Sequence, residues 1–294
     1  MEFSRYLDCL SADFRRFREV AQLDPTAAVP TCPGWSVADL TRHLGQVYLH
    51  KTVAMREGAE PGAWPPKELE EAEPLPLLDR AYAELLAEFA TRRPEDPSST
   101  WYRHDQTVGF WFRRMAQETV IHRIDAELGA GQPVAPVPAD LAIDGVDELL
   151  KVFLAYSVAD WGDYFTDILA RSPGHTYAIR TDGAAWRVRT GPGVVEVADG
   201  DAAAGEATDE GQGGAHRAAG AGPAGAGPAG SGAAGPGGAH RAGDAAEVTV
   251  SGSPVAVLRW VWNRDSPGEP GGVTVQGSSE AVEELRRCIV TATQ

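Results

Sequence analysis

Phe3, Tyr6, Leu7, Leu10, Phe14, Phe17 and Val20 recur at intervals of three and four residues, the period that lays apolar side chains along one stripe of a helix. The spacing predicts an amphipathic helix over the first two dozen residues, ended by Asp24-Pro25. After the loop VPTCPGW, Ser36 with Asp39 three residues on has the capping-box pattern, and a second helix is expected from about Val37 to Glu57, stopped by Gly58. Pro61 to Pro76 reads as a long surface loop rich in proline and glutamate. Leu77, Leu78, Ala81, Tyr82, Leu85, Leu86 and Phe89 mark a third helix, broken at Pro94. Trp111 to Leu128, WFRRMAQETVIHRIDAEL, runs without Gly or Pro until Gly129 and is a further helix. Leu141 to about Phe165 reads as another long one. Long helices with these connections suggest an antiparallel four-helix bundle in the N-terminal half.

The period shortens to two beyond Ser172-Pro173. HTYAIRT, AAWRVRT and VVEVAD alternate polar and apolar residues between Asp-Gly and Gly-Pro-Gly turns, the pattern of a small antiparallel meander. Ala245 to Val250 and GVTVQG are expected strands, SPVAVLRWVWNR a helix with a serine cap and Pro at its first position, and Ser279 to about Val290 a last helix. The fold class expected is α+β, with a helical domain over 1–170 and a small α+β domain over 171–294. Gly200 to Gly243 is almost entirely Ala, Gly and Pro, too poor in apolar side chains to offset its ordering entropy, and is expected to be a disordered insertion at about 200–244. It contains GAGPAG twice, but without a strand before or a helix after it the formal match to a phosphate-binding turn is empty.

A net charge of -16 argues against a nucleic-acid partner and against anionic membranes. Cys9, Cys32 and Cys288 lie far apart, so neither a disulfide framework nor a thiolate zinc site is implied. The acidic N-terminus lacks the basic start and apolar run of a signal peptide, and no apolar run reaches the roughly 20 residues that span a bilayer. A cytoplasmic protein is the expectation.

Chemistry concentrates on the helix over 111–128. Glu118 and His122 stand four residues apart, on one face, and a carboxylate oxygen with an imidazole nitrogen makes half of a divalent-metal site. A third ligand could come from His43, at an expected inward position of the second helix, with His50 on the same face as its rival or as a supporting partner. His104 falls in a loop, His175 begins a strand, and His216 and His240 lie in the Ala/Gly/Pro stretch. Spacing alone leaves the choice open between a metal site and a satisfied core histidine beside a surface glutamate. Asp125 could orient a ligand or be a plain helix-surface acid. Arg113 and Arg114 could receive a carboxylate, although solvated arginines are commoner. Cys32, in CPGW, is expected to pack the loop rather than act as a nucleophile. No G-x-S-x-G elbow or Ser-His-Asp ordering supports hydrolase chemistry.

The segments VPTCPGWSVADLTRHLGQVY (Val29 to Tyr48) and FWFRRMAQETVIHRIDAELGAG (Phe110 to Gly131) resemble the two signature regions of the mycothiol-dependent maleylpyruvate isomerase family of actinobacteria, and SPVAVLRWVWNRD resembles that family's closing Trp-x-Arg stretch. The resemblance implies a DinB-like four-helix bundle followed by a small sterol-carrier-like α/β domain. It implies a divalent metal, usually zinc, held by His43, Glu118 and His122. The thiol mycothiol would be cosubstrate, the second substrate electrophilic and anionic, and Arg264 would face the cleft between domains as a catalytic residue. The reaction implied is isomerisation of a maleylpyruvate-like substrate or thiol transfer. The alternative class is a non-enzymatic, metal-stabilised bundle that binds a small molecule or a protein. An open coordination position favours the enzyme; a fourth protein ligand such as His50 favours the structural role.

Overall fold

The computed structural model describes residues 1–201, 245–265 and 271–293. The apolar stripe near the N-terminus becomes helix α1 (Phe3–Ala21), which buries Tyr6, Leu10, Phe14, Phe17 and Val20. Helix α2 (Val37–Glu57) starts where its cap requires: the Ser36 hydroxyl accepts from the Asp39 amide while Asp39 accepts from the Ser36 amide. Gly58 ends it in the left-handed conformation, with φ 68°. The proline-rich connection contains one short helix, α3 (Lys67–Glu70), and α4 (Pro74–Ala90) begins three residues before its apolar periodicity does. Pro74 occupies the first turn, where a missing N–H costs nothing.

Helix α5 (Val108–Gly129) is buried on nearly every side. It packs along α1 and against α2, while α2 packs along α4, so these four helices make the bundle. Buried positions on α5 include Arg114, Gln117, Thr119, His122, Arg123, Asp125 and Glu127 as well as its apolar residues. Polar groups at such depth need internal partners, which makes α5 the element on which the electrostatics of the bundle converge.

The expected single helix over 141–165 is instead a relay: α6 (Ala139–Glu148), a π-helical segment (Leu149–Ala155), α7 (Tyr156–Asp160), a 3-10 turn (Gly162–Phe165) and α8 (Thr166–Leu169). Apolar spacing over one or two turns does not distinguish i→i+4 from i→i+5 bonding, which is why the sequence reads as uninterrupted.

Strands β1 (Thr176–Thr181), β2 (Ala184–Gly191), β3 (Val194–Asp199), β4 (Val248–Gly252) and β5 (Thr274–Gly277) form one sheet in the order β3-β2-β1-β4-β5. β1, β2 and β3 are the expected antiparallel meander, and β4 adds to β1 in parallel. The fold is therefore α+β with a mixed sheet. Ser253 caps α9 (Pro254–Val261), its hydroxyl accepting from the Ala256 amide, and α10 (Ser279–Ala292) closes the chain. The expected insertion at about 200–244 lies outside the described residues apart from its first two positions. Among the described residues no helix is long and apolar enough to cross a membrane.

α9 reaches back to the helical part at α6. A Cβ on Gly145 would lie 2.5 Å from Gln117 Oε1 and 2.6 Å from Leu258 Cδ1, so both flexible side chains would have to shift to admit one. Trp262 Nε1 donates to the Gly145 carbonyl at 3.1 Å and fixes the end of α9 against α6. Ser36→Ala should lower unfolding stability by about 1 kcal/mol in a urea titration, through loss of the cap on α2; an unchanged midpoint would mean the cap does not hold the start of that helix.

Candidate metal centre

Glu118 and His122 face the same point from successive turns of α5, and His43 meets them from α2. Glu118 Oε1 lies 3.1 Å from His122 Nε2 and 3.5 Å from His43 Nε2. One donor atom from each residue fits within 4.8 Å of the others. The two imidazole rings stand edge to face with centroids 5.1 Å apart. One carboxylate oxygen and two imidazole nitrogens converging this closely match the chemistry of a His2Glu set, which holds zinc at about 2.0–2.2 Å from each donor. The residues fit a divalent cation. His43 keeps 35% of its side chain exposed, so the set is open on one side.

That side opens into a cleft of about 890 Å³, lined from the helical part by Pro30 to Pro33, Trp35, His43, Arg114, Glu118, Ile121, His122 and Phe153, and from the chain beyond α9 by Trp262 to Asp265 and Arg286. Trp35, from the loop ahead of α2, stands 4.8 Å from the His43 ring.

Asp125 carries the electrostatic frame. Its buried carboxylate accepts from His122 Nδ1 at 2.9 Å, from the Thr31 hydroxyl at 2.5 Å, and from Arg264 Nε and Nη2 at 2.9 and 3.0 Å. Occupying Nδ1 leaves Nε2 as the nitrogen presented to the centre, the role of a carboxylate behind a metal-binding histidine. Burial disfavours the Asp125 charge, yet the hydrogen bond from His122 and the Arg264 guanidinium hold its carboxyl below the usual range. Burial likewise opposes the His122 imidazolium, but the Glu118 charge and the bonds to Asp125 and Glu118 outweigh it and raise His122 to about 9. Glu118 is held well below the ordinary carboxylate range, burial being overcome by His122 and Arg114.

The other sequence-derived candidates separate clearly. Arg264 lines the cleft, with its charge matched by Asp125 and Nη1 donating to the Trp262 carbonyl. Arg113 and Arg114 are not solvated. Arg113 pairs with Asp144 and Asp147, and Arg114 bonds Glu148 and Glu118. His50 lies against Trp64, with ring centroids 5.1 Å apart, and is not among the convergent donors. His104 packs on Tyr102 and Tyr156, and His175 bonds Glu247 at 2.7 Å. Burial and the nearby Asp125 push the Cys32 thiol up to about 11, so it is protonated at neutral pH. Sequence reasoning missed the Thr31 hydroxyl and the Arg114–Glu148 pair; Arg114 does stand four residues before Glu118, the spacing of a same-face ion pair.

Residues 7–127 match a family model described as the mycothiol maleylpyruvate isomerase N-terminal domain. Among solved structures, a mycothiol-dependent maleylpyruvate isomerase is similar with a TM-score of 0.55 at 14% identity, covering 94% of this chain and 93% of that one. A histidine-to-alanine mutant of a mycothiol-dependent maleylpyruvate isomerase is similar with a TM-score of 0.58 at 12% identity, over the same shares of the two chains. At these identities the likeness speaks for the fold. No curated protein matches the chain.

A raised His122 has a definite sign. In the metal-free protein its charged pairing stabilises the fold fully below about 6.5, and that contribution is lost as the pH climbs through about 9. A cation must displace the proton from Nε2, so apparent metal affinity should rise about tenfold per pH unit up to about pH 9 and flatten above it. Calorimetry at pH 7 in buffers of different ionisation enthalpy should find about one proton released per metal bound. Release of none would contradict the assignment of a protonated His122.

Proposed function

We propose that this protein, whose residues 7–127 match the mycothiol maleylpyruvate isomerase N-terminal domain model, is a divalent-metal-dependent enzyme that uses a small thiol, mycothiol, on an electrophilic, anionic substrate. The observation that carries the reading is the convergence of His43, Glu118 and His122 at the wall of a cleft with one side left open. Those three residues would hold the metal, with zinc the best match to two imidazoles and a carboxylate. Bound there, a divalent cation lowers the pKa of a coordinated thiol and supplies thiolate at neutral pH, which a free thiol of pKa about 8.5 supplies only sparingly.

The chain's own residues divide the remaining work. Asp125 orients His122 and keeps Nε2 facing the centre. Ile121, Phe153 and Trp262 form apolar parts of the cleft, which limits water around a reacting thiolate. Arg264 neutralises Asp125 and lines the cleft, where an anionic substrate group could accept from its guanidinium. For a maleylpyruvate-like substrate, thiolate would add to one alkene carbon and push the π electrons onto the conjugated carbonyl. Rotation about the resulting single bond and collapse of the enolate would expel the thiolate and leave the trans alkene. The finer choice between isomerisation and thiol transfer follows from which electrophile the cleft accepts.

No fourth His, Cys, Asp or Glu joins the three donors among the described residues, which supports the enzymatic reading over a metal held for stability alone. His122→Ala should reduce zinc content to background by elemental analysis; full retention would sink the metal assignment. Titration of zinc-loaded protein with mycothiol should give saturable heat that vanishes after chelation. A metal-loaded protein that ignores the thiol would bring the non-enzymatic reading forward.

A further inference from the structure

Glu118 has two oxygens, and the structure gives them different work. Oε1 faces the His43 and His122 nitrogens at 3.5 and 3.1 Å. Oε2 accepts from Arg114 Nη2, one turn back on α5. Arg114 itself is clamped. Its Nη1 donates to Glu148, the last residue of α6 before the π-helical segment. Its guanidinium stands 4.9 Å from the Phe153 ring and 5.5 Å from the Trp262 ring, and only 5% of the side chain is exposed. Phe153 comes from the π-helical segment and Trp262 from the end of α9, so three separate elements fix one arginine.

We propose that Arg114 is a positioning residue that reserves Glu118 Oε2, leaving Oε1 as the single oxygen with which Glu118 can bind a metal, and so keeps a coordination position open for the thiol. The inference rests on the metal reading above. A carboxylate free to turn can bind a cation through one oxygen or both. A planar guanidinium that is always charged and already held by Glu148 on its far side resists release of Oε2 more firmly than a water or a lysine would. Glu148, wholly buried, bonds the far side of Arg114; burial pushes its carboxyl up to about 7, so near neutral pH it offsets part of the guanidinium charge beside a cation. The π-helical segment gains a purpose here: it begins directly after Glu148 and carries Phe153 against the guanidinium.

Cobalt(II) as a spectroscopic replacement for zinc tests this without reference to turnover. The double variant Arg114→Met/Glu148→Gln removes both charges together, which avoids leaving either one buried and unpaired. In wild type the cobalt d–d bands should have the strength of a four-coordinate ion; in the double variant, with Oε2 released to the metal, they should weaken severalfold as the coordination number rises. Thiol affinity measured on the same samples should fall in step. Arg114→Lys, which keeps the charge but not the fork, guards against misfolding of the double variant and should shift the spectrum in the same direction by a smaller amount. Wild-type spectra in correctly folded variants would overturn the role of Arg114 while leaving the metal centre standing. Failure of the wild type to take up cobalt at all would instead overturn the metal reading and this inference with it.

Discussion

A carboxylate with no solvent exposure is tolerated only when its charge is met and its oxygens are hydrogen-bonded, and Asp125 is such a group. Its partners come from three parts of the chain: Thr31 ahead of α2, His122 on the same helix, and Arg264 beyond α9. Each is tied to the cleft for a reason that precedes function. Removing Arg264 alone would leave the buried Asp125 charge to His122 and the Thr31 hydroxyl, a loss that should destabilise the fold. The histidine that would bind the metal is thus oriented by the same group that joins the helical part to the chain between β4 and β5.

The C-terminal end and the middle of α5 solve the problem of buried charge differently. Toward its C-terminal end, Arg123 donates to Asp13, Glu127 and the Ala135 carbonyl, and Arg16 adds to Glu127. That network joins α1 to α5, with Asp13 Oδ2 and Arg123 Nη2 left without a hydrogen-bond partner. In the middle of the helix the network is left incomplete, since Glu118 Oε1 and two imidazole nitrogens face one another with only each other as partners. Charged groups that could be satisfied elsewhere in the bundle are here aimed at a common point beside open space. A divalent cation would complete that arrangement.

Local patterns were the legible ones. The Ser36–Asp39 cap, the Glu118–His122 pair and the β1 to β3 meander each depend on residues a few positions apart, and periodicity or spacing specifies them directly. His43 could be nominated from its helix face, but its meeting with α5 is a tertiary event, and the rival His50 was distinguishable only once its contact with Trp64 was seen. Arg264 entered through the resemblance of its segment to a family motif, with no local signal for its pairing with Asp125. The π-helical segment and the parallel pairing of β1 with β4 escaped because hydrophobic periodicity does not encode either one. Arg113 and Arg114 look like surface residues in sequence because arginine usually is; burial by four carboxylates on α5 and α6 is invisible to a linear reading.

X-ray absorption at the zinc edge, recorded on the zinc-loaded protein before and after addition of mycothiol, would show whether the thiol joins a metal held by His43, Glu118 and His122. The metal should be bound by two imidazole nitrogens and oxygen donors, with one oxygen replaced by a sulfur at about 2.3 Å once the thiol is present. A metal that keeps its light-atom ligands unchanged at saturating thiol would contradict this.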